Sequence, residues 1–165
     1  MTKPKHPKVH TDSLPDEQST RVSDLRGLIQ DTRAAVAATV NAEMTKLYWR
    51  IGKRIQIELL GNDRAAYGKA IVSTVSRQLR EDYGNGFSTQ NIRHMIRFAE
   101  TFPDEERVSP LWLNLSWSHF KEIIYLKDPL QIEFYAELCR VEHWSVRALR
   151  KKIDSMLFER TALSK

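Results

Sequence analysis

The sequence is short of cysteine, of long apolar runs and of targeting segments. Cys139 is the only cysteine among 165 residues, so no disulfide can form within the chain, which suits a reducing compartment. No apolar run approaches the roughly 20 residues that cross a bilayer. The basic N-terminal residues are not followed by the apolar core of a signal peptide. We therefore expect a cytoplasmic protein with no membrane partner.

Motifs for catalysis, cofactors and metals are also lacking. The chain has no glycine-rich phosphate loop, no nucleophile elbow and no HExxH. Acidic stretches at Asp16 and Asp104 lack the spaced carboxylate and lysine with which a metal-dependent nuclease holds Mg²⁺ and phosphate. Cys139 and His143 lie four residues apart, but no second Cys/His pair completes a zinc site. The sequence predicts no catalytic, metal or cofactor site.

The composition is that of one globular domain with a basic balance. Apolar residues make up 41% and charged residues 28%, which is enough of both for a sizeable core. The net charge is +5, and this mild excess favours a nucleic-acid partner or an anionic surface. Residues 1–20 hold three of the six prolines and few bulky apolar side chains, which predicts a disordered leader.

A long helical pattern begins at about Ser23 and ends at Gly61. Its apolar residues recur at three- and four-residue steps, which predicts one stripe along the helix: Leu25, Leu28, Ile29, Thr32, Val36, Val40, Met44, Leu47, Tyr48, Ile51, Ile55 and Leu59. Gly52 is a point at which the helix bends or another helix approaches closely. A stripe this long packs within the monomer or against a second copy, so a homodimer is one expectation.

The rest of the chain predicts further helices and no strand. A second helix spans 65–83, with Val72 inside, Tyr83 at the end of the buried face and Arg77 outside. Asp128-Pro129 starts a helix that runs to about Glu142, with Leu130, Phe134 and Leu138 buried. Shorter helices follow caps at Ser116 and Ser145, the latter with Leu149, Met156 and Leu157 inside. The predicted fold is all-α, a bundle of about six helices.

The segment Tyr83–Ser88 joins two helices as a helix-turn-helix does. Gly84, Asn85 and Gly86 tolerate positive φ, and Ser88 can cap a helix over residues 89–102. We expect this second helix to read DNA in the major groove while the preceding helix meets phosphates. The residues predicted to contact DNA here are Lys69, Arg77, Arg80, Ser88, Gln90, Arg93, His94 and Arg97. The alternative is that these are ordinary polar residues of an amphipathic surface helix.

A second basic cluster lies near the C-terminus, on the last predicted helix. It consists of Arg147, Arg150, Lys151 and Lys152. We include Arg147, Arg150 and Lys151 among the candidate DNA contacts. The alternative is a solvated basic face, which also complements the negative C-terminal end of a helix.

Several segments resemble a bacterial family of YhcG type. They include Leu47–Lys53 (LYWRIGK), Leu79–Gly84 (LREDYG) with Gly86–Ser88 (GFS), Leu115–His119 (LSWSH) and Trp144–Arg147 (WSVR). The resemblance extends over nearly the whole chain and implies that residues 21–161 form the helical N-terminal domain of that family. Full-length members join such a domain to a C-terminal PD-(D/E)XK nuclease domain, which the resemblance does not reach in this chain. Catalytic residues therefore cannot be transferred, and we expect a non-enzymatic module.

These observations predict a non-catalytic, helix-turn-helix-like DNA-binding module of a nuclease-associated protein. The expected partners are DNA, a second copy through the long first helix, and a nuclease domain or partner protein. The alternative is a protein-interaction or dimerisation module with no role in nucleic-acid binding. No cofactor is expected in either case.

Overall fold

A computed structural model describes residues 14–61 and 65–164, which contain eight α-helices and no strand. The prediction of an all-α fold with a long first helix is confirmed. The helices are α1 Leu14–Leu60, α2 Ala65–Tyr83, α3 Thr89–Thr101, α4 Glu105–Val108, α5 Trp117–Ile123, α6 Pro129–Glu142, α7 Val146–Asp154 and α8 Leu157–Leu163. Short 3-10 turns span Asn85–Phe87 and Ser109–Leu111. None of the helices in these ranges is long and apolar enough to traverse a lipid bilayer.

Internal contacts divide the chain into two units, Met1–Ala37 and Ala38–Lys165. The described part of the first unit is the N-terminal portion of α1, and none of its side chains from residue 16 onward is buried. Residues 1–13, most of the predicted leader, lie outside the described residues. Helix α1 begins at Leu14, so it includes the last residues of that segment.

The second unit holds the core, which has two apolar clusters. The smaller cluster joins α1, α2 and α3 through Ile55, Val72, Ile92, Met95 and Ile96. The larger is built around aromatic side chains and includes Trp49, Phe98, Phe102, Trp112, Leu115, Phe120, Ile123, Tyr135, Cys139 and Leu149. Helices α1 and α3 each contribute to both clusters, so their contact links the two parts of the core.

Helices α1 and α3 approach closely at Gly52. A Cβ built at Gly52 would overlap the backbone carbonyl of Met95. Next to this contact, the indole N–H of buried Trp49 donates to the Phe102 carbonyl at 2.8 Å, which fixes α1 against the end of α3. Two roles were predicted for Gly52, a bend in α1 or a close approach of another helix. The close approach is the one observed.

The predicted stripe of α1 is divided by the structure. Ile55 is buried and Tyr48, Ile51 and Leu59 are partly buried, whereas Leu25, Leu28, Ile29, Val36, Val40, Met44 and Leu47 are exposed. From Val36 onward most turns of the helix repeat at four-residue steps (36, 40, 44, 48 and 51, 55, 59), which exceed the 3.6 residues of one helical turn, so the stripe winds around the helix. Its C-terminal part reaches the core, and its earlier part faces solvent.

Two further predictions of buried faces were wrong. Tyr83 is 72% exposed, because α2 packs through Val72 and Ser76 instead. In α6, Leu130 is 66% exposed and the buried residues are Ile132, Tyr135, Ala136 and Cys139. The last predicted helix is also interrupted, since Met156 adopts a left-handed φ of 55° between α7 and α8, and Met156, predicted to be inside, is 56% exposed.

Candidate nucleic-acid interface

The turn between α2 and α3 is built by local hydrogen bonds. Gly84 has φ of 90°, a conformation that glycine adopts without strain, and its N–H donates to the Arg80 carbonyl at 3.0 Å. The Ser88 hydroxyl caps α3 by accepting from the Asn91 N–H at 3.1 Å. Ser76 of α2 donates to the Phe87 carbonyl at 2.8 Å, which ties the turn back to the preceding helix. The entry to α3 is therefore held in one place.

One face of α3 is buried, and a narrow strip on the other side is exposed. Ile92, Met95, Ile96, Phe98 and Ala99 are all in the core. The exposed residues of the helix are Gln90, Arg93, Arg97 and Glu100, at steps of three and four residues. Only this strip of α3 is available to contact another molecule. Gln90 and Arg93 lie in the first turns of the helix.

Two predicted DNA contacts on α3 also hold the end of α5. The Arg97 Nε donates to the Ile124 carbonyl at 3.1 Å, and its guanidinium lies 3.8 Å from the Glu100 carboxylate. His94 Nδ1 is hydrogen-bonded to the hydroxyl of Tyr125. Burial, with a smaller contribution from the Lys121 charge, lowers the pKa of His94. Arg97 and His94 therefore position the neighbouring helix, a role that their spacing in the sequence does not reveal.

The basic residues of α2 are freer to bind another molecule than Arg97 and His94 are. Arg77 and Arg80 line a concavity of about 440 Å³ between α2 and the start of α3, together with Ser73, Ser76, Glu81, Asn85 and Thr89. Within the described ranges, Lys69, Arg77 and Arg80 are exposed and have no hydrogen-bond or ion-pair partner through their side chains, and the same holds for Arg93. Glu81 is the one acidic residue on the wall of this concavity. The structure thus brings Arg77 and Arg80 to the N-terminus of α3.

The second predicted cluster lies on α7, which packs against α5 and α8. The Arg150 Nε donates to the Glu122 carboxylate at 2.6 Å, so this cation is already paired. Arg147 and Lys151 are exposed, and the neighbouring Lys152 ammonium lies 5.6 Å from the centre of the Trp144 ring. None of these residues lines the concavity of α2 and α3.

A larger groove, of about 750 Å³, was not predicted from the sequence. Its floor is apolar and includes Phe102, Leu111, Ile132 and Ala136, and its rim carries Arg97, Glu100, Glu106, Arg107, Lys127, Glu133 and Glu137. Arg107 and Glu133 form an ion pair at 3.2 Å on this rim. The rim mixes both signs of charge, which does not suit a phosphate backbone.

The described residues offer neither a metal site nor a reactive thiol. They contain no group of three or more His, Cys, Asp and Glu side chains able to share a metal ion. Cys139 is fully buried, and burial raises the pKa of its thiol to about 11, so the thiol is inert at neutral pH.

Comparison with known proteins gives one family and one curated relative. Residues 24–160 match the family described as the DUF1016 N-terminal domain. The chain is 30% identical over 167 aligned positions to "Putative nuclease YhcG" of Escherichia coli (strain K12), and the alignment covers 83% of this chain and 44% of that protein. The chain therefore spans less than half the length of this relative. No protein of known structure matches it.

Proposed function

Because the chain belongs to the family of DUF1016 N-terminal domains, we propose that it is the DNA-binding module of a nuclease-associated protein. The relative's name attributes nuclease activity to a protein more than twice the length of the region aligned here. On this proposal the domain contributes the attachment to DNA, and cleavage belongs to a nuclease domain or to a partner protein.

The observation that carries the proposal is the set of unpaired cations at the α2–α3 turn. We call Lys69, Arg77, Arg80, Gln90 and Arg93 the α2–α3 basic surface. Its four cations have no acidic partner among the described side chains, so they are free to neutralise phosphates. Ser88 and the first amides of α3 add a helix N-terminus, which favours a phosphate oxygen. Gln90 and Arg93 lie where the first turns of a recognition helix contact base edges.

The other residues predicted to contact DNA have smaller roles in this proposal. His94 and Arg97 hold α5 beside the α2–α3 basic surface, and only the exposed part of Arg97 is left for DNA. Arg147 and Lys151 form a separate patch for phosphate, next to the ion-paired Arg150. The surface proposed to bind DNA therefore consists of the start of α3 and the exposed face of α2.

Fluorescence anisotropy with a labelled duplex tests the proposal. The triple variant Arg77→Ala/Arg80→Ala/Arg93→Ala should bind at least about tenfold more weakly than the native chain at low salt, because it loses three phosphate-binding charges. Its fold should be intact, since all three side chains are exposed.

The matched control is Arg54→Ala/Arg107→Ala/Arg140→Ala, which removes the same charge from arginines already paired with Glu58, Glu133 and Glu137. This control should bind DNA with nearly native affinity. Equal losses in both triple variants would contradict a local surface, and native binding by the first variant would contradict the proposal.

A second candidate function, self-association, is favoured by the exposed apolar residues of α1. We call Val22, Leu25, Ile29 and Val36, all in the first unit, the α1 apolar stripe. Each is at least 46% exposed, whereas a soluble helix normally buries such a set against a neighbour. Light scattering tests this function directly, and a monomer at tens of micromolar would contradict it.

A further inference from the structure

Tyr83 is an aromatic side chain that the fold anchors but leaves uncovered. It is the last residue of α2 and is 72% exposed. Its ring lies edge-to-face against Phe87, with 6.0 Å between the ring centres, and Phe87 in turn packs against Tyr48. Among the described residues, the Tyr83 hydroxyl has no hydrogen-bond partner. The contact with Phe87 therefore restrains the ring, while most of its surface is open to another molecule.

An exposed tyrosine is ordinary in itself, and its neighbours distinguish this one. Arg80 lies one turn earlier on the same side of α2. At about 100° per residue, Tyr83 lies about 60° to one side of Arg80 around the helix axis, and Glu81 lies about 100° to the other side. The acidic residue on the wall of the concavity therefore does not separate the ring from Arg80.

The concavity next to Tyr83 is lined by hydrogen-bond donors that are not in use. Arg80 and Asn85, which precede and follow Tyr83 in the sequence, both line this space of about 440 Å³. Within the described ranges, five donor side chains on its wall form no hydrogen bond or ion pair: Ser73, Arg77, Arg80, Asn85 and Thr89. Two guanidinium groups, two hydroxyls and an amide can together donate to several phosphate oxygens. The ring and the phosphate-binding groups thus belong to one surface.

An aromatic ring in this position suits DNA that has unpaired bases. In a duplex the faces of the bases are stacked on one another, and the outside of the helix presents phosphates and sugars. A single strand exposes the faces of its bases, and an aromatic side chain can stack on any of them because every base has a π face. A basic groove along the backbone combined with an exposed aromatic ring is the arrangement by which proteins hold single-stranded DNA.

We propose that the α2–α3 basic surface takes DNA at a junction between a duplex and a single strand, with Tyr83 stacked on the first unpaired base. This proposal rests on the DNA-binding function given above and adds the form of DNA that the surface prefers. Arg77, Arg80 and Arg93 hold phosphates, as they would on any duplex, and Tyr83 contributes only where a base is unpaired. Affinity for a duplex and preference for a junction therefore come from different side chains, which substitutions can separate.

Fluorescence anisotropy with two labelled DNAs tests the preference. One DNA is a blunt duplex. The other is a shorter duplex with a single-stranded overhang and the same total number of phosphates, so that both carry the same charge. The native full chain should bind the DNA with the overhang about tenfold more tightly at the same salt concentration, because the stacking of one base is added to the phosphate contacts.

Substitutions of Tyr83 assign the preference to the ring. Tyr83→Leu should abolish it and keep the affinity for the blunt duplex within about twofold, since leucine retains an apolar contact with Phe87 but has no flat ring. Tyr83→Phe should keep the preference, because stacking needs the ring and not the hydroxyl. The control Tyr67→Leu changes another exposed tyrosine of α2, about 24 Å away along the helix, and should behave as the native chain does.

The outcomes separate the preference for a junction from DNA binding itself. Equal binding of the two DNAs by the native chain, or a preference that survives in Tyr83→Leu, would overturn the role of Tyr83 and leave DNA binding standing. Loss of the preference in Tyr83→Phe would also overturn it, because the hydroxyl and not the stacked ring would then make the contact. A native chain that binds neither DNA at low salt would overturn both.

Discussion

At the residue scale, the packing of α1 against α3 depends on a few atomic contacts. Gly52 lies against the carbonyl of Met95, and beside it Trp49 donates a buried hydrogen bond to Phe102. Backbone cannot move aside as the end of a flexible side chain can. The absence of a Cβ at residue 52 is therefore a condition for the close packing of these two helices.

Gly52→Ala should lower the free energy of unfolding by about 2–3 kcal/mol, since the added methyl group overlaps backbone. Urea denaturation followed by circular dichroism measures the change. The control Gly27→Ala, where an added Cβ meets nothing within 4 Å, should instead raise stability by about 0.5–1 kcal/mol through helix propensity. Equal effects of the two substitutions would contradict the close contact.

His94 gives the fold a dependence on pH with a definite sign. Burial, assisted by the Lys121 charge, lowers its pKa below the ordinary value of 6.5, so the unfolded chain binds this proton more readily than the folded one. Stability should therefore fall as the pH drops below about 6.5, until the pH passes the lowered pKa of the folded state. His94→Gln should lose less stability than the native chain between pH 7.5 and 5.5 in urea denaturation. An equal loss in both proteins would contradict this role for His94.

At the scale of elements, local chemistry predicted the helix ends. Ser88, Ser116, Asp128 and Ser145 all accept hydrogen bonds from the first turn of a helix, as expected of capping residues. The end of α2 and the start of α3 follow from the glycine turn between them. Each of these features depends on residues a few positions apart.

Features that depend on distant residues were not predictable in this way. Leu130 and Ile132 are both apolar near the start of α6, and only the shape of the surrounding core decides that Ile132 is the buried one. Arg97 donates a hydrogen bond to the carbonyl of Ile124, which is 27 residues away in the sequence. The spacing of Arg97 on α3 indicated that its side chain points outward, but it could not reveal this partner. For the candidate site, the sequence located the basic residues correctly on α2 and α3. It could not tell which of them already had partners.

Helix α1 offers a prediction at this scale. Val36→Asp should convert an α1-mediated dimer into a monomer and leave the fold unchanged, because Val36 is 57% exposed. Light scattering reports the mass, and circular dichroism reports the helix content. Leu130→Asp, at a similarly exposed leucine on α6, is the control and should leave the mass unchanged. A Val36→Asp chain with native mass would contradict association through α1.

For the whole molecule, the two proposed functions belong to different parts of the chain. The second unit positions the α2–α3 basic surface on a packed core, and α1 carries the apolar stripe. A dimer would present two basic surfaces to DNA and so raise the effective affinity of each for phosphates. On the proposed function, this combination would hold a nuclease on its substrate.

The salt dependence of duplex binding by the native chain tests the central claim most directly. Binding through Lys69, Arg77, Arg80 and Arg93 releases counterions from about four phosphates for each chain. The logarithm of the association constant should then fall against the logarithm of salt concentration with a slope of roughly −3 to −4 per chain. Undetectable binding at low salt, or a slope near zero, would contradict DNA binding by this surface.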